Sequence, residues 1–152
     1  MINLRKGERG YTVMELLVVI AVLAILAGLS MAGFSNFSKK EALDAGATAL
    51  IAGLRDARAQ TLASVGGSQY GIHVSTTTFS FFKGSTYDAG SPSTSVFKFS
   101  SYVRASSTLS DFVFQRITGN SVASGTIDVY MASDPSIKKT IQVEATGIID
   151  IE

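Results

Sequence analysis

One carboxylate in this sequence sits where a carboxylate is expensive. Glu15 stands at the edge of a long apolar run, and an ionised group there costs several kcal/mol unless a cation or a donor compensates it. The chemistry it points to is charge compensation rather than catalysis. The rest of the inventory is poor in catalytic groups. There is no cysteine and one histidine, His73, which excludes disulfides, thiolate nucleophiles, Cys-ligated metal and a multi-histidine site. Gly66-Gly67-Ser68-Gln69-Tyr70 begins like a nucleophile elbow but ends in tyrosine where that motif needs glycine. Asp128, Asp134 and Asp150 are too dispersed for a calcium loop, and neither a P-loop nor a dinucleotide fingerprint occurs. The expectation is no enzyme, no catalytic residue, no cofactor, no metal and no small-molecule substrate.

The elements that would position Glu15 come from the first third of the chain. From Leu16 to Phe34 there is no charge and a single hydroxyl, Ser30, over about 19 residues, enough to cross the hydrocarbon of a bilayer as a helix. Arg5, Lys6 and Arg9 precede it, and the positive-inside rule keeps them cytoplasmic and the remainder outside. The 152 residues leave room for one further domain. With 13 basic and 12 acidic residues the formal charge is +1, so bulk charge recruits no polyanion. Lys138-Lys139 is the one basic pair in the second half and the end, Ile149-Asp150-Ile151-Glu152, is acidic, so nucleic acid is not expected as a partner.

Gly7-Glu8-Arg9-Gly10 followed by Tyr11-Thr12-Val13-Met14-Glu15 resembles the prepilin peptidase signal of the type IV pilin and type II secretion pseudopilin superfamily. The resemblance implies that the bond between Gly10 and Tyr11 is cut, that the new amine of Tyr11 is methylated, and that Glu15, fifth from the cut, meets the amine of an adjacent subunit and sets axial register. A cut after Gly10 would create a cation one helical turn from Glu15, and a carboxylate can neutralise an amine in a low-dielectric setting. Glu15 would also lie in the first helical turn, where the macrodipole favours negative charge. Tyr11 departs from the family's commoner phenylalanine and remains a large aromatic at the membrane interface.

Beyond Phe34 the helical pattern continues. Leu43, Ala47, Leu50, Leu54, Ala57 and Thr61 recur at spacings of three and four, with Glu41, Asp44 and Asp56 off that stripe. No proline interrupts residues 11–64, and Gly66-Gly67 is the expected stop. Leu54-Arg55-Asp56-Ala57-Arg58-Ala59-Gln60-Thr61-Leu62-Ala63 resembles the H-type (GspH/FimT) branch, whose first helix commonly ends in such a pattern. Arg58 is read either as the partner of a carboxylate in the globular part or as a solvated helix-face residue. Strands are expected at Tyr70 to Val74, Thr78 to Phe82, Val96 to Phe99, Phe112 to Phe114, Thr126 to Met131, Thr140 to Val143 and Ile148 to Ile151. Turns are expected at Lys83-Gly84-Ser85, Asp88 to Pro92, Thr118-Gly119-Asn120 and Ser133-Asp134-Pro135.

The expected fold is therefore α+β, pilin-like: a long N-terminal helix, transmembrane in its first half and amphipathic in its second, packed on a small antiparallel β-sheet or sandwich. Residues 1–10 form the leader, 11–34 the transmembrane or filament-core helix, 35–65 its amphipathic continuation and 66–152 an extracytoplasmic β-rich domain. The resemblance implies a minor pilin or pseudopilin of a type IV pilus or type II secretion filament. Its partners would be a prepilin peptidase, other pilin or pseudopilin subunits, an inner-membrane assembly platform and the lipid bilayer. Its location would be the inner membrane, single-pass with the N-terminus cytoplasmic, and the filament after assembly. The alternatives are a secreted or membrane-anchored β-rich binding domain, released after Ala32 if Ser30-Met31-Ala32 served as a signal-peptidase site, and a minor pilin for DNA uptake.

Overall fold

The computed structural model describes residues 11–152, without the side chains of residues 29–36. The expected leader, residues 1–10 with Gly10, lies outside the described residues. The chain divides into two compact units, Met1–Phe37 and Ser38–Glu152, and each is taken by itself. A single helix, α1, is assigned over Val13–Leu62 and contributes to both.

In the first unit the helix is apolar around its whole circumference. Its large side chains from Val13 to Leu26 are all about half exposed or more. Among the described residues no helix is long and apolar enough to cross a membrane. The expected span from Leu16 to Phe34 runs on into residues 29–34, whose side chains lie outside the description.

In the second unit the helix behaves in the opposite way. Leu43, Ala47, Leu50, Leu54, Ala57 and Thr61, the six residues of the expected stripe, are all buried, while Glu41, Asp44 and Asp56 are exposed. Each fully buried leucine contributes roughly 1.5–3 kcal/mol of transfer free energy. The last of the stripe, Thr61, does two jobs: its hydroxyl donates to Ala57 O (2.8 Å) and accepts from the N–H of Tyr70 (2.9 Å). It thereby ties the end of the helix to the first strand. The chain leaves α1 through Ser64 at φ 50° and a short 3-10 turn, Val65–Gly67, in which Gly66 and Gly67 have φ 56° and 64°.

Eight strands follow, β1 Tyr70–Val74, β2 Thr78–Lys83, β3 Ser95–Lys98, β4 Val103–Ser107, β5 Asp111–Val113, β6 Gly125–Met131, β7 Asp134–Val143 and β8 Ile149–Ile151. They form two antiparallel four-stranded sheets, in the orders β3-β2-β1-β5 and β4-β6-β7-β8. The helix stripe shares one core with Ile72, Phe79, Phe112 and Phe114 of the first sheet side and Ile127, Val129, Ile141 and Val143 of the second.

Two departures from the expected strands have physical causes. β4 has no counterpart in the expectation: Val103-Arg104-Ala105-Ser106-Ser107 alternates correctly but is built from small and polar residues of low strand preference. It is a strand because Val103 and Ala105 are buried in the core. The expected turn at Ser133-Asp134-Pro135 is also displaced. The strand register shifts between Tyr130 and Met131, so Tyr130 pairs with Lys138 and Met131 with Asp134. Residues 135–137 bulge out between them, which gives Pro135 a place in a strand without asking it for an N–H.

Candidate assembly site

The site foreseen at the N-terminus is built from one helical turn. Thr12 precedes α1 and accepts, at Oγ1, a hydrogen bond from the N–H of Glu15 (3.2 Å). Thr12 is thus the N-cap and Glu15 the third helical residue, the spacing of a capping box. The order Thr12-Val13-Met14-Glu15 carries this cap in its spacing. Among the described residues that carboxylate has no hydrogen-bond or ion-pair partner, and Tyr11 is 84% exposed. Glu15 therefore stands at the positive end of the helix dipole, at the head of an exposed apolar stretch.

Several other titratable groups are engaged within the domain. His73 on β1 meets Asp111 on β5, Nδ1 to Oδ1 2.6 Å. Its ring lies flat on Tyr87, centroids 3.9 Å apart, and Tyr87 in turn meets Phe82 edge-on, so the segment between β2 and β3 folds back over the outer face of the first sheet. A polar hollow of about 430 Å³ adjoins His73, lined by hydroxyls of Ser75, Thr76, Ser107 and Tyr130. Hydrogen bonds from Lys138 and then Thr140 hold the Asp128 carboxyl below its usual range, and the Ser136 hydroxyl and N–H do the same for Asp134. Both lysines of the basic pair face carboxylates: Lys138 Nζ lies 2.7 Å from Asp128 and Lys139 Nζ 2.6 Å from Asp44 of the helix. Their charge is spent inside the fold. Among the described residues no group of three or more His, Cys, Asp or Glu could hold a metal.

Among the described residues Arg58 pairs with no carboxylate, and it is not merely solvated. Its Nε donates to Gly119 O (3.0 Å) and its Nη2 to Thr146 O (3.4 Å), so a helix cation fastens two loops by their carbonyls. The loops can approach because Gly147 has φ 79° and no side chain; a Cβ there would lie 2.1 Å from Gly119 O and 2.8 Å from Arg58 Nε.

A family model described as the prokaryotic N-terminal methylation motif matches residues 5–31. Among solved structures, the type IV minor pilin FimU of Pseudomonas aeruginosa (strain PAO1) is similar with a TM-score of 0.61 at 16% identity, covering 76% of this chain and 92% of that one. The minor pseudopilin EpsH of the type 2 secretion system of Vibrio cholerae is similar with a TM-score of 0.56 at 12% identity, covering 72% and 94%. Comparison with curated proteins gives no match. The chain carries a prokaryotic N-terminal methylation motif, and its fold is that of these pilin-like structures.

Proposed function

We propose that this chain, a methylation motif joined to a pilin-like domain, is a structural subunit of a type IV pilus or type II secretion filament. The reading rests on that coincidence: the motif occupies residues 5–31, and the domain behind it has the fold of a minor pilin and of a minor pseudopilin. Either feature alone would be a weaker guide. A prepilin peptidase cuts between Gly10 and Tyr11, and the freed amine of Tyr11 is methylated. The apolar helix holds the chain in the inner membrane until other subunits replace lipid around it, with an assembly platform driving the exchange. Glu15 is the register residue. Its unpartnered carboxylate at a helix N-terminus fits an ammonium brought by a neighbouring subunit, and the burial of both groups makes a mismatched register costly.

Coexpression with a prepilin peptidase and its assembly machinery tests this. N-terminal sequencing is expected to begin at methylated Tyr11. Glu15→Val is expected to leave membrane insertion intact and to remove the chain from the sheared filament fraction. A chain that keeps Met1 in the presence of active peptidase, or a Glu15→Val variant that enters filaments normally, would contradict the reading.

A further inference from the structure

A sheet ends in edges, and this domain has four. The outer edge of β5 is closed by Val122, whose N–H donates to Val113 O (2.9 Å), and that of β4 by the N–H of Ala105, which donates to Thr76 O (2.9 Å). Among the described residues nothing comparable reaches β3 or β8. Both edges leave apolar side chains in water: Val96 and Phe97 of β3 are 56% and 49% exposed, and Ile151 of β8 and Ile148, just before it, are 49% and 46%. Open edges of this kind are templates for pairing with another chain.

The two open edges fit each other, and hydrogen-bond parity says how. The bond from Phe99 N–H to Thr77 O fixes the alternation of β3, so Ser95 and Phe97 turn their backbone groups to β2 while Val96 and Lys98 turn theirs outward. On the other edge the reciprocal bonds between Thr140 and Glu152 leave Ile149 and Ile151 facing outward. Antiparallel pairing opposes outward residues directly, so no antiparallel register sets Lys98 against Asp150; the one that apposes Val96 to Ile149 and Phe97 to Ile148 leaves both charges without an opposite partner. Parallel pairing staggers them. It sets Lys98 beside Asp150 and Val96 beside Ile148 on one face and Phe97 beside Ile149 on the other, so opposite charges meet and each apolar residue neighbours an apolar one.

We propose that β3 of one copy receives β8 of a second copy as a parallel added strand. A groove along the helix side of β3 gives the incoming Ile151 a surface, while Ile149 stays buried in the core of its own copy. The groove consists of two adjoining apolar hollows of about 510 and 260 Å³ that share Ala49, Phe79 and Phe97, and its helix wall is low because Gly46 and Gly53 lack side chains. Ile151 of the second copy comes alongside Phe99 at its mouth. The contact is heterologous: each copy gives β8 to one neighbour and takes it from another, which builds an open row rather than a closed dimer. Strands of three and four residues bury far less than the roughly 1,000 Å² of a stable interface. The pairing therefore acts only among copies already held side by side by their N-terminal helices. In that respect it rests on the filament reading, and it implies that the chain can follow itself along a fibre.

The absence of native cysteine makes the test clean. The full chain carrying Val96→Cys and Ile148→Cys together is expressed with peptidase and assembly machinery, oxidised mildly and run on non-reducing gels from membrane and filament fractions. A ladder of adducts is expected from the double variant, and monomer from each single variant, since paired strands bring opposed Cβ atoms within disulfide reach. Lys98→Glu in the double variant is expected to lower the adduct about fivefold, with Asp150→Lys restoring it. A dimer from Val96→Cys alone means that β3 meets β3 and overturns the proposal. So does monomer from the double variant while maleimide labelling shows both thiols free. Because adducts are read in membranes as well as fibres, a chain that never enters filaments contradicts the filament reading without deciding the edge pairing.

Discussion

Residues 13–28 and residues 43–61 belong to the same helix and are treated oppositely by the fold. The earlier stretch is apolar on every side beyond Glu15 and exposed throughout, whereas the later one is apolar on one stripe and buries all of it. An all-round apolar helix must be buried by lipid or by other chains; a striped helix can be buried by its own sheets. The contrast teaches that the second region is built for stability and the first for association. Substitutions should therefore register in different experiments depending on where they fall.

The largest effect is expected where the self-covered region is tightest. Gly147→Ala puts a Cβ 2.1 Å from Gly119 O at a φ of 79°, so the two loops fastened by Arg58 must part. A loss above about 4 kcal/mol, the range of strained and clashing substitutions, is expected in chemical denaturation, with no stable domain as the extreme outcome. A tolerated alanine would mean that the two loops are not held together as described.

Next comes a matched pair of leucines. Leu50→Ala, at a side chain with 0% exposure, is expected to cost about 2–5 kcal/mol through lost transfer and cavity terms. Leu17→Ala, at 59% exposure, is expected to leave the denaturation midpoint of the domain unchanged and to reduce incorporation into filaments. Equal shifts from both substitutions in denaturation would erase the distinction between the two regions. The smallest effect belongs to Thr12→Ala. Loss of the N-cap costs roughly 0.5–2 kcal/mol locally, expected as faster amide exchange in the first turn around Glu15, with the domain's unfolding unaltered. Slower assembly without loss of membrane residence would place Thr12 beside Glu15 in the association region.

Much of this division could be read from residue order. The stripe from Leu43 to Thr61 was legible because helical periodicity places six residues on one face, and all six are buried. β1 was legible to the residue because Tyr70-Gly71-Ile72-His73-Val74 sits between Gly66-Gly67 and a hydroxyl-rich turn. β4 was not, since Val103 and Ala105 give a signal too weak to outweigh their polar neighbours. Arg58 was expected to find a carboxylate or water; it found two carbonyls, which carry no side-chain signature in any sequence. The cap of Thr12 is written in residue order too, since a hydroxyl three residues before a glutamate is the capping-box spacing.

Sequence alone determined which stretches are apolar, with what period, and that a carboxylate stands at the head of one of them, because these are properties of side chains in order. Tertiary structure alone decided which backbone groups are satisfied: that β4 and β5 are closed by Thr76 and Val122, that Gly119 and Thr146 are fastened by Arg58, and that among the described residues nothing closes β3 or β8. The reason is that every residue but proline carries the same peptide donor and acceptor. Only the packing of distant segments determines where they end.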